Sequence, residues 1–301
     1  MKNNELKPAL TWGMTDLALI AAKEAMENRA NVEMDALDNG QSLEETHGQA
    51  VRDYAQFEQL IGGAFAFLQK IKKTARGVAV DMGSGTGVGA CILSGLEQVE
   101  KVYAVEFSEY FVEKIMPVVF EKFEAQNVKV QRVVSDFNRL DVEDGSLNIV
   151  LDIDSFHHSE DFDKTLDECS RALAKDGVII AIDRAWPDSY TQEQFKTMLD
   201  RELPDRLKQK YGIPPGQSFT RRDFGEHEYT IQQWFDYFER HGFEPAVFLL
   251  RHPPAMNRIW LRLPTFKFSM ALSGLLYRFG FRRLWAYGFA TTRVMFVCTR
   301  K

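Results

Sequence analysis

The chain has 301 residues, 45% of them hydrophobic, and its 37 Lys and Arg residues face 43 Asp and Glu residues for a net charge of -6. This composition is typical of a folded globular protein and excludes a disordered tail or a collagen-like repeat. Three scattered cysteines are too few for a disulfide framework or a Cys-based zinc site, which indicates a reducing compartment. A polar amino terminus without a secretory apolar region, and no uncharged apolar run of ~18 residues, predict a cytoplasmic protein.

The charges are unevenly distributed along the chain. No acidic residue follows Glu244, whereas residues 251–301 carry ten Lys and Arg residues, which leaves 27 cations against 43 anions in the rest. Within this stretch, segment 253–291 interleaves aromatic side chains with arginines. Such a segment fits a lid over an acceptor pocket, a homodimer interface, or a contact with an anionic membrane surface or lipid-linked substrate at the inner membrane face. The acidic body argues against DNA as a partner, because DNA presents a long phosphate track.

The predicted elements alternate between helices and short apolar strands. Residues 1–74 are predicted to be an N-terminal helical cap, with helical periodicity over residues 14–30 and 42–73. The core, residues 75–186, repeats a strand-helix pattern, with strands at 78–81, 101–106, 128–134, 147–153 and 178–182. Residues 187–229 are a polar insertion on the acceptor side, and residues 230–301 hold a helix and two final strands that flank segment 253–291. This order predicts an α/β fold with a doubly wound, mostly parallel seven-stranded sheet, a helical cap and helical insertions.

A glycine-rich turn follows the first of these strands. Asp81 ends the strand, and Gly83, Ser84, Gly85 and Gly87 lead into a helix, so a ligand can lie against backbone where a Cβ would clash. The spacing is G-x-G-x-G, which differs from the G-x-G-x-x-G that places a pyrophosphate at a helix N-terminus. An aspartate at this point would repel a pyrophosphate and suits a ligand that bears an ammonium group.

Acidic residues also end the next two strands. Glu106, followed by Phe107, is placed for a bidentate hydrogen bond to ribose hydroxyls. Asp136 can accept a hydrogen bond from an exocyclic adenine amine, and Phe137 beside it can pack on the purine. Together with the glycine turn, these residues predict a binding site for a nucleoside with a cationic, phosphate-free tail.

At these residues the sequence resembles the class I S-adenosylmethionine-dependent methyltransferases. The resemblance covers about residues 75–186: Asp81 with its glycines looks like the first motif of the family, Glu106 like its ribose acid, and Asp136 with Phe137 like its adenine-contact motif. It implies S-adenosyl-L-methionine as cofactor, with Asp152 as a further contact, and methyl transfer to an O or N atom of a small-molecule acceptor, including a lipid-linked molecule or a saccharide. The fourth strand ends Asp-Ile-Asp-Ser-Phe and lacks the patterns of nucleic-acid amino and cytosine-C5 methyltransferases.

The exit of the fourth strand carries the candidates for chemistry, because ligands of open parallel sheets collect at the carboxyl ends of the strands. A histidine that titrates near neutrality suits the base that deprotonates a hydroxyl acceptor. We therefore prefer His158 as the catalytic residue, with His157 as the second candidate and better suited to a structural role. The predicted acceptor contacts are Asp154, Arg184, Trp186, His227 and Tyr229.

Three alternatives stay open at this point. A divalent metal would suit the carboxylates and imidazoles of Asp152, Asp154, His157, His158, Asp161 and residues 226–228. We assign no metal, because Asp161 is explained as a helix start and residues 226–228 as a solvated loop. A non-catalytic S-adenosylmethionine-binding protein would carry the same cofactor motifs. An RNA methyltransferase would dock through the basic segment 253–291.

Overall fold

The computed structural model describes residues 5–14, 54–210, 212–249 and 293–301. Its strands are β1 (Leu10–Thr11), β2 (Gly77–Met82), β3 (Val99–Glu106), β4 (Val130–Val134), β5 (Leu147–Ile153), β6 (Leu173–Asp183), β7 (Phe243–Leu249) and β8 (Val294–Arg300). Its α-helices are α1 (Tyr54–Lys70), α2 (Val88–Gly95), α3 (Met116–Lys122), α4 (Phe162–Ala172), α5 (Gln192–Leu199), α6 (Asp205–Lys210) and α7 (Ile231–Arg240). The helix predicted over 14–30, the first part of the helix predicted over 42–73, and segment 253–291 lie outside the described residues.

The strands form one sheet in the order β1-β4-β3-β2-β5-β6-β8-β7. Neighbouring strands are parallel from β1 to β6, and β8 runs antiparallel to both β6 and β7. The predicted α/β class with a mostly parallel sheet is therefore confirmed. Because β2 to β6 all point the same way, their carboxyl ends meet at one edge of the sheet, where the antiparallel β8 begins.

Helices cover both faces of the sheet, because its strands carry apolar side chains on both sides. On one face α1 and α2 share a buried cluster with alternate strand residues such as Ala79 and Val102. On the other face α4 and α7 share a second cluster with Val80 and Val150. The alternation of Ala79 and Val80 between the two clusters shows the period of two expected of a strand that is buried on both sides.

An additional strand lies at one edge of the sheet, in a region where the sequence predicted only helix. Strand β1 pairs in parallel with β4, and the buried ring of Trp12 lies 5.2 Å from that of Tyr103 between ring centroids. The side chain of Gln131 fixes this segment by donating a hydrogen bond to Pro8 O at 2.8 Å. Residues 10–11 therefore depart from the predicted helical cap, because pairing with an open sheet edge decides their conformation.

Strand β6 begins earlier than the sequence predicted. It starts at Leu173 and runs to Asp183, with a register shift opposite Leu147 and Ile149. A Cβ on Gly177 would lie 2.8 Å from Leu173 Cδ2, so glycine permits the tight bend inside this strand.

No helix in the described ranges is long and apolar enough to cross a membrane.

Candidate functional site

The glycine turn between β2 and α2 has a backbone conformation that glycine adopts most easily. Gly83, Gly85 and Gly87 have φ angles of 66°, 51° and 85°. A Cβ on Gly83 would lie 2.5 Å from Ser155 Cβ, and one on Gly87 would lie 2.6 Å from Phe120 Cε1. A Cβ on Gly85 would meet no atom within 4 Å. The middle glycine therefore borders open space, whereas its two neighbours are packed against the protein.

Asp81, at the end of β2, carries a carboxyl group that is only 1% exposed. Its Oδ2 atom has no hydrogen-bond partner among the described residues. Gly89 lets α2 approach closely, because a Cβ there would lie 2.6 Å from Asp81 Oδ1. Burial raises the pKa of Asp81 to about 7, although hydrogen bonds from Ser84 and Ala90 oppose the rise. The turn thus surrounds a buried acceptor that a cationic group of a ligand could satisfy.

The carboxyl group of Glu106 connects the glycine turn to β3. Its Oε2 accepts a hydrogen bond from Gly85 N at 2.8 Å, and its Oε1 accepts one from Ser108 N at 3.0 Å. Burial raises the pKa of Glu106, and backbone hydrogen bonds from Ser108, Gly85 and Phe107 oppose that rise. Each oxygen keeps a second lone pair that could accept a hydrogen bond from a ribose hydroxyl. The ribose contact of Glu106, and a contact from Phe107, stay predictions.

The exit of β4 brings Asp136 and Phe137 to the same edge of the sheet. Asp136 Oδ1 accepts a hydrogen bond from Asn138 N at 2.8 Å, and both predicted residues are buried. Ser84 closes the glycine turn by donating its hydroxyl to Asp81 O at 2.8 Å. The structure therefore brings the predicted cofactor residues together at neighbouring strand ends, while their contacts to a ligand stay predictions.

The exit of β5 turns sharply around Asp152. Its Oδ1 accepts hydrogen bonds from Ser155 N at 3.0 Å, Ser155 Oγ at 2.5 Å and Phe156 N at 2.8 Å. Its Oδ2 is buried and has no partner among the described residues. Burial, and then the nearby charge of Asp183, hold the pKa of Asp152 well above its ordinary value. These bonds shape the short 3-10 turn that carries both predicted histidines.

His157 is bound to Asp183, a residue at the end of β6 that the sequence analysis did not select. The His157 Nδ1 and Asp183 Oδ1 atoms lie 2.6 Å apart, and His157 N donates to Asp183 Oδ2 at 3.0 Å. Both side chains are buried. Burial, assisted by the charge of Arg184, holds the pKa of His157 well below its ordinary value. Burial also raises the pKa of Asp183 to about 6.

His158 is less constrained than its neighbour. Its ring lies 4.2 Å from that of His157 and 5.9 Å from that of Phe224, measured between centroids. Among the described residues, none forms a hydrogen bond with the ring nitrogens of His158. Burial, and then the neighbouring His157, lower the pKa of His158 to about 3. Both rings are therefore neutral near pH 7, and only that of His157 is oriented by a carboxylate.

Asp154 follows β5 in an unusual backbone conformation, with a φ angle of 52°. Its Oδ2 is ion-paired with Arg293, which directly precedes β8. Its Oδ1 is buried and has no hydrogen-bond partner within the described ranges. Burial raises the pKa of Asp154 to about 6, and the charges of Arg293 and Arg184 limit the rise. One carboxylate oxygen at this strand end is thus available to a ligand.

An ion-pair network fastens the insertion to the sheet. Arg184 Nη2 lies 3.0 Å from Glu226 Oε2, and Arg184 Nη1 lies 3.7 Å from Glu228 Oε1. Arg221 forms ion pairs with both glutamates, and Trp186 Nε1 donates a hydrogen bond to Glu228. Arg184 and Trp186, which were predicted to contact the acceptor, therefore hold residues 226–228 against the end of β6.

The remaining two predicted acceptor residues lie in different surroundings. His227 N donates to His157 O at 2.8 Å, so His227 adjoins the histidine pair. The ring of Tyr229 stacks at 5.8 Å on Phe162 of α4 and lies edge-on to Trp234 of α7. Burial raises the pKa of Tyr229 above its ordinary range. His227 is thus the better placed of the two for an acceptor contact.

Within the described ranges, no group of three or more His, Cys, Asp or Glu residues is arranged to hold a metal ion. Asp161 is the N-cap of α4 and accepts a hydrogen bond from Lys164 N at 3.2 Å. Its prediction as a helix start is confirmed. Glu226 and Glu228 are occupied by arginines, so residues 226–228 are not the solvated loop that the sequence indicated.

The core of this site matches a known protein family. Residues 80–181, from β2 to β6, match the family described as Methyltransferase domain. The domain belongs to the class I S-adenosylmethionine-dependent methyltransferases. A sarcosine/dimethylglycine N-methyltransferase of Halorhodospira halochloris is 29% identical to this chain over 162 residues, which are 54% of this chain and 56% of that protein. The chain thus spans about half the length of this curated relative.

One solved structure shows the same fold, and a second is similar to a large part of this chain. A candidate sarcosine dimethylglycine methyltransferase from Galdieria sulphuraria has a TM-score of 0.50 and 15% identity, over 81% of this chain and 84% of that one. The YcgJ protein from Bacillus subtilis has a TM-score of 0.49 and 16% identity, over 80% of this chain and 98% of that one. At these identities the likeness concerns the fold alone.

S-adenosylmethionine is the cofactor of this methyltransferase domain, and the residues at the ends of β2 and β3 fit it. The unpartnered Oδ2 of Asp81 is a buried acceptor that the ammonium group of the cofactor would satisfy. Gly85 borders open space where a Cβ would intrude, and the second lone pairs of Glu106 can accept from hydroxyl groups. The predicted family and cofactor are therefore confirmed.

Sequence reasoning missed two residues that shape this methyltransferase site, Gly89 and Asp183. Gly89 continues the alternation of glycines at 83, 85 and 87, so the turn pattern could have included it. Asp183 is an acidic residue directly after an apolar strand, which is the same signal that selected Asp81, Glu106 and Asp136. Both were therefore within reach of the sequence, although their contacts were not.

Proposed function

We propose that the protein transfers a methyl group from S-adenosylmethionine to the nitrogen atom of a small-molecule amine. The observation that carries this proposal is the carboxyl group of Asp154. Its Oδ1 is buried without a partner in the described structure, at the strand end where Asp183 binds His157. The negative charge of Asp183 is close enough to Asp154 to raise the pKa of Asp154, so the two carboxyl groups belong to one site.

A buried carboxylate oxygen without a donor is costly, so its presence favours a ligand that completes it. Asp154 has a pKa of about 6 and is mostly ionised at neutral pH. An ionised carboxylate only accepts hydrogen bonds, and Arg293 already occupies Oδ2. The group that meets Oδ1 must therefore donate, and the N–H of an amine or ammonium group does so with a charge that complements the carboxylate.

The curated relative supports nitrogen as the attacked atom. The Halorhodospira halochloris protein is named for N-methyl transfer to sarcosine and dimethylglycine, which are small amines that carry a carboxylate. Its similarity to this chain covers 162 residues at 29% identity. We therefore place small amines first among the acceptors to be tested.

The residues of this chain would divide the reaction between them. When bound, S-adenosylmethionine supplies a methyl group made electrophilic by the sulfonium centre. Asp81 would bind the ammonium group of the cofactor, and Asp154 would orient the acceptor through a charge-assisted hydrogen bond. His157, neutral and held through Nδ1, can take the proton that an ammonium acceptor must lose before its nitrogen has a free electron pair.

A hydroxyl acceptor is the second candidate, and the His157–Asp183 pair favours it. A hydroxyl group is a weak nucleophile until a base removes its proton, whereas a neutral amine already has a free electron pair. A buried neutral histidine beside a carboxylate is suited to that removal. The acceptor test must therefore contain both classes.

The test uses cofactor with a labelled methyl group and matched acceptors: glycine and sarcosine as amines, and glycolate as the hydroxyl analogue of glycine. We expect label in the amines. Loss of a charged hydrogen bond worth about 1.5–3 kcal/mol should make the KM of Asp154→Asn for the amine about 10- to 150-fold higher. The control Asp161→Asn, at a half-exposed helix cap, should leave that KM unchanged.

Other distributions of the label would favour other functions. Label in glycolate without label in the amines would replace the amine proposal with the hydroxyl candidate. The labelled cofactor is also incubated with host metabolite, lipid and RNA fractions, and label in RNA would favour the RNA methyltransferase considered from the sequence. Cofactor binding with no label in any metabolite, lipid or RNA fraction would identify a non-catalytic S-adenosylmethionine-binding protein.

A further inference from the structure

We infer that Asp183 is a positioning residue that makes His157, and not His158, the base that takes the proton from the acceptor. This inference rests on the proposed methyl transfer. It reverses the order in which the sequence ranked the two histidines. The reason lies in how differently the structure surrounds the two rings.

Asp183 holds His157 at two points. Its Oδ1 lies 2.6 Å from His157 Nδ1, and its Oδ2 accepts a hydrogen bond from His157 N at 3.0 Å. Asp183 is itself fixed, because it is the last residue of β6, pairs with Val294 of β8, and accepts a hydrogen bond from Arg184 N at 2.5 Å. The carboxylate is therefore a rigid support for both the ring and the backbone of His157.

This contact decides which nitrogen carries the proton. An ionised carboxylate only accepts hydrogen bonds, so His157 Nδ1 must be the donor. In a neutral ring the proton on Nδ1 leaves the lone pair on Nε2. Because burial holds the pKa of His157 well below its ordinary value, the ring is neutral at pH 7. Asp183 would also stabilise the imidazolium that forms when Nε2 takes a proton.

His158 lacks this support. Among the described residues, none forms a hydrogen bond with its ring nitrogens, and its ring packs against those of His157 and Phe224. Within the described ranges no carboxylate is hydrogen-bonded to its ring, so none fixes its tautomer, and Glu226 and Asp183 act on its charged form only without a direct contact. The lowered pKa does not separate the two rings, because burial also holds the pKa of His157 well below its ordinary value, so the hydrogen bonds to Asp183 carry the choice. His158 thus packs against the base without replacing it.

The step balances with the groups already named. The proton of the acceptor ammonium, or of the hydroxyl in the second candidate, goes to His157 Nε2. The freed electron pair of the acceptor forms the bond to the methyl carbon. The bond from that carbon to sulfur breaks, its electron pair stays on sulfur, and the cofactor leaves as the neutral thioether. No further reactant is needed.

The test combines two variants with one matched control. His157→Asn keeps an amide N–H near the position of Nδ1, so the contact to Asp183 can persist while Nε2 is lost. Asp183→Asn removes the charge but keeps the size of the side chain. The control is His241→Asn, because His241 is the C-cap of α7 and pairs with Asp163 and Asp167.

We expect both site variants to lower kcat by about 10²–10⁴-fold, as for loss of a general base, while the affinity for S-adenosylmethionine stays close to the wild type. Asp183→Asn also weakens charged hydrogen bonds to His157 and Arg184 and should lower the melting temperature, so kcat is measured well below that temperature. The control should keep the wild-type kcat. Nitrogen NMR of the wild-type protein should show the His157 proton on Nδ1. That spectrum needs no acceptor.

Two results would overturn the inference. One is a His157→Asn variant that folds, binds cofactor and keeps its kcat. The other is a wild-type spectrum with the proton on Nε2. If amines receive no label but glycolate does, the proposed function fails while the same variants test the inference on glycolate. If no acceptor is found at all, the role of His157 as base falls with the proposed function, and the tautomer decides only whether Asp183 positions the ring.

Discussion

The two halves of the site lie along one edge of one sheet, yet they are built differently. The cofactor half, at the ends of β2, β3 and β4, depends on backbone conformation and on contacts between residues close in the sequence. Gly85 and Glu106 are 21 residues apart, and Gly89 follows Asp81 by eight. The acceptor half, at the ends of β5 and β6, depends on side chains from distant segments. Arg184 and Glu226 are 42 residues apart, and Asp154 and Arg293 are 139 apart.

This difference follows from what each half has to bind. The cofactor is the same whatever the acceptor is, so the same glycine turn can bind it in either case. In the proposed reaction the acceptor would need its own shape and charge, which the pairs of Arg184 and Arg221 with two glutamates would help to supply. We therefore expect changes in the cofactor half to alter cofactor affinity, and changes in the acceptor half to alter acceptor KM or kcat while cofactor affinity stays unchanged. The predictions test that separation, beginning with the largest effect.

Outside the His157–Asp183 pair, the largest expected effect is that of Asp81→Asn on cofactor affinity. The change removes the negative charge at a buried oxygen that has no protein partner in the described structure. We expect the Kd of S-adenosylmethionine to rise about 10- to 150-fold, the equivalent of ~1.5–3 kcal/mol for a charged hydrogen bond. Calorimetry with the purified variant measures this. An unchanged Kd would remove Asp81 from the cofactor site.

The same variant should change how the free protein responds to pH. Burial raises the pKa of Asp81 to about 7, so the folded state keeps a proton that the unfolded chain releases near pH 4. The free energy of unfolding therefore falls as pH rises from about 4 to 7. In Asp81→Asn this fall should be less steep, which denaturant unfolding at several pH values would reveal.

The second effect concerns the first turn of α2. Gly89→Ala places a Cβ 2.6 Å from Asp81 Oδ1, whereas Gly95→Ala at the other end of the same helix meets nothing within 4 Å. We expect Gly89→Ala to lower the free energy of unfolding by about 1–3 kcal/mol, as overpacking does, and to weaken cofactor binding. Gly95→Ala should be neutral or slightly stabilising, because alanine favours a helix. Equal effects of the two changes would contradict the close approach of α2 to Asp81.

The third effect belongs to the acceptor half. Glu228→Gln removes a buried charge that pairs with Arg221 and Arg184 and accepts from Trp186. Loss of these charged hydrogen bonds should lower the free energy of unfolding by about 1–3 kcal/mol and raise the acceptor KM. The Kd of S-adenosylmethionine should not change. A parallel loss of cofactor affinity would show that the two halves are coupled, and the exposed control Glu193→Gln should change neither quantity.

The difference between the halves also explains what the sequence could predict. The glycine turn and the acids after β2, β3 and β4 follow from short patterns, and the structure brings Asp81, Glu106 and Asp136 to neighbouring strand ends. The bond between His157 and Asp183 requires β5 and β6 to be neighbours in register, which a linear pattern does not contain. The sequence therefore found the histidine pair, whereas the contact on which we infer that His157 is the base lies outside any linear pattern.

Contacts with distant segments also determine two features that local sequence patterns do not predict, a strand and an ion pair. Strand β1 exists because its residues pair with β4, more than a hundred positions away in the chain. The contact of Asp154 with Arg293 exists because β8 is antiparallel and begins at the edge where β5 ends. In both cases the local sequence is compatible with other conformations, and a distant partner selects one.

The smallest effect should come from a contact that belongs to neither half. His241 lies at the end of α7 with Nδ1 2.9 Å from Asp167 Oδ1 and Nε2 2.8 Å from Asp163 Oδ1. The side chains of Asp163 and Asp167 are 50% and 74% exposed, so water and salt screen these contacts. We expect His241→Asn to lower the free energy of unfolding by at most about 1 kcal/mol, and by less at high salt.

Neither cofactor Kd nor acceptor KM should change in this variant. Strand β7 begins beside this helix end and pairs with the last residues of β8, at the sheet edge opposite the site. Denaturant unfolding at low and high salt, with both binding constants measured on the same preparation, checks all of these expectations. A changed acceptor KM would mean that α7 transmits strain from its far end to residues 226–230, and the separation of the site from the rest of the fold would then have to be abandoned.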